Sequence, residues 1–80
     1  MSEKIELTEK EKETIETVTK LHPEADGVLE AIDDAAREMF YVLIKKTGTE
    51  FDKMEVLYRE LMELLEKVRN YPHLVLEPVN

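Results

Sequence analysis

The chain has no cysteine and only two glycines among its 80 residues. The lack of cysteine excludes disulfides and thiolate metal sites. With glycine confined to Gly27 and Gly48, there is no glycine-rich loop of the kind that cradles a nucleotide phosphate. Histidine occurs only at His22 and His73, each beside a proline. Two separated imidazoles do not make up a zinc shell, and the Glu-x-x-His spacing of di-iron bundles is missing. The one serine is Ser2, and no threonine has a histidine partner that sequence alone reveals, so no activated nucleophile stands out. Catalytic, cofactor-binding and metal-ligating residues are therefore not assigned, and no cofactor is expected. No apolar run approaches the ~18 residues that suggest a bilayer span. The polar Met1-Ser2-Glu3-Lys4 start does not read as a secretory signal. A soluble cytoplasmic protein is the expectation.

Basic residues are in deficit. Eleven Lys and Arg stand against 19 Asp and Glu, a net charge of −8. Such a surface is a poor partner for nucleic acid or an anionic membrane. Glutamine is also absent and asparagine occurs twice, while 38% of residues are charged. Depletion of thermolabile side chains with Lys and Glu enrichment is a thermophile-like pattern. A chain this short makes one domain, near the lower size limit for a self-sufficient core. Small scaffolds commonly need a disulfide, a metal or a partner subunit. Here self-association is the remaining staple.

What the chain does have is helical periodicity. Apolar residues fall at Phe51, Met54, Tyr58, Leu61, Leu65 and Val68, alternate steps of three and four that mark one face of an α-helix. Ala25, Val28, Ile32, Ala35, Met39 and Leu43 repeat the pattern. The expected fold is all-α: helices over 8–21, 24–46 and 50–70, with the second and third as a dominant antiparallel hairpin. Residues 1–7 form an arm and residues 71–80 an extended apolar tail. Thr8 and Glu11 fit a capping box, and Pro23 ends the first helix. Gly48 suits a left-handed turn between helices two and three, with Thr49 as the next N-cap. Opposite charges four apart (Glu16/Lys20, Asp33/Arg37, Glu55/Arg59, Glu63/Lys67) support the helices by roughly 0.2–0.5 kcal/mol each.

The core does not close within one copy. Residues 39–44 read Met-Phe-Tyr-Val-Leu-Ile and are apolar all round, which calls for burial on every side. The first helix offers few large apolar residues to cover them. The expected answer is a four-helix-bundle-like homodimer, with Phe40, Tyr41, Ile44, Leu74 and Leu76 at the interface. The competing arrangement is a monomer in which the first helix and the tail wrap those side chains. The function expected is a non-enzymatic protein–protein interaction module, an adaptor, accessory subunit or regulator. An alternative is an acidic inhibitor, such as an antitoxin, immunity protein or nucleic-acid mimic that blocks a basic site. A third reading, a Mg²⁺-dependent all-α hydrolase, would use Glu30, Asp33 and Asp34, which share a helix side, with Glu60 and Glu63 from the third helix.

Overall fold

A computed structural model describes residues 5–76. In chain order it contains α1 (Glu9–Leu21), α2 (Val28–Leu43), α3 (Gly48–Asn70) and the single-turn α4 (His73–Leu76), with no strand among the described residues. The fold is all-α, and α2 and α3 form its closely packed hairpin. Residues 1–4 of the expected arm and 77–80 of the expected tail lie outside the described residues, as does the Leu76 side chain.

Helix α1 begins as its sequence requires. The Thr8 amide donates to Glu11 Oε1 at 2.8 Å, and the Glu11 amide donates to Thr8 Oγ1 at 3.1 Å. This reciprocal box satisfies two of the donors that every helix start leaves open. The helix ends at His22, whose amide donates to the Val18 carbonyl at 3.0 Å, directly before Pro23.

Four features differ from the periodicity reading. Helix α2 starts at Val28 rather than at residue 24, because residues 22–25 close a turn in which the Ala25 amide donates to the His22 carbonyl at 3.1 Å. The ring of Pro23 presets that turn. The first helical acceptor is then Gly27, which receives the Ala31 amide at 3.0 Å. Helix α2 also ends early, at Leu43. The Lys45 and Lys46 amides donate to the Val42 and Leu43 carbonyls, a tightened last turn. Gly48 takes the expected left-handed conformation with φ +62°, but it opens α3 behind Thr47, so Thr49 is not the cap. Finally, the start of the tail is helical rather than extended. Pro72 stops α3 and seeds a new turn, where the Leu74 and Val75 amides donate to the Tyr71 and Pro72 carbonyls at 3.0 and 3.1 Å. Proline is well tolerated at the start of a helix, where its missing N–H costs no bond.

The core is off-centre. Ile32 on α2 and Val68 on α3 are fully buried, joined by Ala31 and Ala36, by Leu61, Leu64 and Leu65, and by Val18 from α1. Each buried Leu, Ile or Val contributes about 1.5–3 kcal/mol of transfer free energy. Leu7, Ile15 and Val75 pack against this cluster. Everything that covers the hairpin therefore gathers at its open end. At the turn end only Leu43 is buried, and it lies outside the cluster. The body measures 42 × 36 × 18 Å, with a radius of gyration of 13.7 Å. A compact globule of this length would have about 11–12 Å. The described helices form a slab with two broad faces rather than a sphere. None of them is long and apolar enough to cross a membrane.

Candidate functional site

The two faces of the slab carry two different apolar surfaces. The first lies along α2 at the turn end. Phe40 and Tyr41 meet edge-on with ring centroids 6.2 Å apart, and Phe40 leans on Tyr58 of α3 at 6.0 Å. A shallow cavity of about 250 Å³ opens beside them, lined also by Ala36, Met62 and the Asp33–Arg37 ion pair. Tyr41 is 62% and Ile44 58% exposed, and Phe40 is also open to solvent. Among the described residues, neither α1 nor the start of the tail covers Phe40, Tyr41 and Ile44. Of the residues expected at an interface, the structure brings Phe40 and Tyr41 together and leaves Ile44 exposed at the cap of α2. Leu74 is half-buried on α4, beyond the far end of α3, and does not join them.

The second surface is a groove of about 770 Å³ between α1 and α3, floored by α2. Val18 and Leu21 line it from α1, Ala35, Met39 and Val42 from α2, and Met54, Leu57 and Leu61 from α3. It shares no lining residue with the aromatic patch. At about 100° per residue, Ala35, Met39 and Val42 lie on the opposite side of α2 from Phe40 and Tyr41. Leu57 is 51% and Leu21 67% exposed. Periodicity alone did not separate these residues from the core. The signal is the width of the apolar arc of α3, where Leu57 and Leu64 accompany the main stripe on the groove side.

Ion pairs tie α1 to α3 at one end of the groove. Lys10 reaches Glu60 at 3.1 Å, and Lys67 Nζ donates to Glu11 Oε1 at 2.9 Å and to the Glu6 carbonyl at 2.7 Å. Burial would push the Glu11 carboxyl up. The hydrogen bonds from Lys67 and the Thr8 amide, together with the Lys67 charge, outweigh it and hold the group below its ordinary 4.5. The expected Glu63–Lys67 pair is not among the ion pairs of the described residues, since Lys67 is drawn across to α1 instead. Glu63 thus makes no ion pair among the described residues, and it lines the groove from α3 as Glu13 does from α1. The pairs Asp33–Arg37 and Glu55–Arg59 form as expected, at 3.1 and 3.2 Å.

The acids of α2 are divided rather than pooled. Asp33 pairs with Arg37, whereas Asp34 turns toward His22 and Glu24. His22 is the C-cap of α1, yet it is only 6% exposed. Its Nδ1 lies 3.7 Å from Glu24 and its Nε2 3.5 Å from Glu38. His22, Glu24 and Asp34 place one potential ligand atom each within 4.8 Å of one another. That is fewer ligands than a closed structural zinc shell requires, and the Glu24 side chain is mostly in solvent. His73 stacks edge-on against Tyr71, with centroids 6.2 Å apart, and takes no part in this cluster.

Comparison with protein-family models, curated proteins and solved structures finds no match to this chain. The functional reading rests on these two surfaces.

Proposed function

We propose that the chain is a non-enzymatic protein–protein interaction module that pairs with a second copy of itself through Phe40, Tyr41 and Ile44. The supporting observation is the exposed aromatic patch at the turn end of the hairpin, where a single copy leaves large apolar side chains in water. Exposed contiguous apolar surface of this kind marks interaction sites. Its composition matches the centre of a protein interface, in which Tyr, Phe, Met and Arg are enriched.

Charge favours a second copy as the occupant. The rim of the patch carries both signs, Asp33 and Arg37. In a twofold pair each copy presents the same surface to the other, so Arg37 of one copy can face Asp33 of its partner, despite the net charge of −8. Two hairpins joined along this edge would supply the staple that a cysteine-free chain of this size lacks.

Light scattering of the purified chain tests the proposal. The expected mass is twice the 9.4 kDa of one copy. Tyr41→Glu combined with Ile44→Glu should give a single-chain particle with unchanged helical circular dichroism. A double variant that keeps the wild-type mass, or a wild-type chain that stays single at micromolar concentration, rejects this interface.

A further inference from the structure

We infer that the groove between α1 and α3 is a docking site for a basic amphipathic helix of a partner protein. The inference deepens the interaction-module reading but does not depend on self-association, because groove and patch share no residue.

The groove is apolar at its floor and acidic at its edges. Met39 and Val42 of α2 form the floor, and Leu21 and Leu57 stand on the walls. The threonines on the α1 wall add little polarity. Thr14 and Thr17 hydroxyls donate to the carbonyls of Lys10 and Glu13, each at 2.9 Å, so their donors are engaged by their own helix. Met39 and Met54 supply adaptable side chains that accommodate differently shaped partners.

The edges carry Glu13 on α1 and Glu63 on α3. Neither makes an ion pair among the described residues. Lys10, which lines the groove, pairs with Glu60, and Lys67, four residues from Glu63, pairs with Glu11. An occupant that brings its own cations to both edges completes this arrangement. A helix, a cylinder about 10 Å across, laid between α1 and α3 would form a four-helix bundle with α1, α2 and α3. Its apolar side chains would recur at i, i+3 or i+4 and i+7, with Lys or Arg flanking the stripe. A second copy of this chain is a poor occupant, because its helices are themselves acidic and would set like charge against Glu13 and Glu63.

The test uses the full chain and three fluorescent synthetic peptides of about five helical turns. One has a Leu stripe flanked by Lys and Arg, the second has the same stripe flanked by Glu, and the third scrambles the first. Anisotropy should show the basic peptide binding at least about tenfold more tightly than either control. Leu57→Glu should weaken it about tenfold or more. Leu57 is half exposed, so this variant should keep its fold by circular dichroism. Glu13→Lys with Glu63→Lys should reverse the preference toward the Glu-flanked peptide. The Tyr41→Glu/Ile44→Glu variant should bind the basic peptide as wild type does, which separates failure of this site from failure of the dimer. The inference is overturned if the basic peptide does not bind or binds no better than its scrambled form. It is equally overturned by equal affinity for the Glu-flanked peptide, or by binding lost in the patch variant and kept in Leu57→Glu.

Discussion

The aromatic patch and the groove are built on the same hairpin but differ in size, about 250 against 770 Å³, and under the proposals above they take different partners. The patch needs only α2 and α3, and its rim carries both signs of charge through Asp33 and Arg37. The groove exists only while α1 is docked, and its edges carry Glu13 and Glu63, acids that make no ion pair among the described residues. Apolar area makes each surface adhesive. The charge around it sets which partner is accepted and which is repelled. A mixed rim can meet its own copy, and an acidic rim requires a cationic one.

The two surfaces share one foundation, and the largest expected effect comes from removing it. Ile32 is 0% exposed at the centre of the core. Ile32→Ala should cost roughly 2–5 kcal/mol, a large part of the stability of a domain this small. Urea denaturation would measure it, and self-association and peptide binding should fall together. Loss of only one would mean that the two surfaces do not rest on a common core. A smaller change should separate them. Thr8→Ala removes the α1 cap and should cost about 1 kcal/mol. Hydrogen exchange should then rise along α1, and peptide binding should weaken while the mass by light scattering stays unchanged. If the mass falls as well, the patch also depends on α1.

Much of this architecture was legible from residue spacing. The hairpin stripe, the Thr8–Glu11 box and the left-handed Gly48 are local features, each determined within a turn or two of chain. Two of the misplaced boundaries share a cause. Pro23 and Pro72 read as simple breaks, but each also presets a turn, so α2 starts late and the tail begins with α4. The groove was the least legible. It depends on where α1 lies against α3, a placement in which Val18 and Ile15 pack into the core and Lys10–Glu60 and Lys67–Glu11 bridge the helices, with Lys67 and Glu11 lying 56 positions apart. Spacing offered Lys67 a nearer partner, Glu63, and no pattern reveals that a distant helix start outcompetes it. His22 was likewise read from its proline neighbour, and its enclosure by the turn and α2 is a tertiary fact.

The acid response should expose the same division. Glu11 is held below its ordinary 4.5 in the folded chain. Its contribution is therefore fully present above that value and is lost as pH falls through the lower folded value. With both Glu11 and Lys67 about a quarter exposed, the contribution should stay below about 1 kcal/mol. Since Glu11 both caps α1 and receives Lys67, acid should loosen α1 before the hairpin. NMR exchange of α1 amides below pH 4.5 would show it, and Glu11→Gln should flatten the response. An α1 that loosens no earlier than α2 would remove this distinction.

The smallest effect provides the finest discrimination. Arg37 and Arg59 make the same kind of contact, an exposed pair with an acid four residues earlier, at 3.1 and 3.2 Å. Replacing either by Ala should cost only about 0.3 kcal/mol of stability, and each removes one positive charge from an acidic chain. They differ in place. Arg37 borders the aromatic patch, whereas Arg59 lines neither surface. If the local mixed rim permits twofold pairing, Arg37→Ala should weaken self-association several-fold by sedimentation, and Arg59→Ala should leave it near wild type. If the two variants shift association equally, net repulsion between acidic chains governs the pairing. The contrast between a self-complementary patch and a partner-selecting groove would then reduce to total charge.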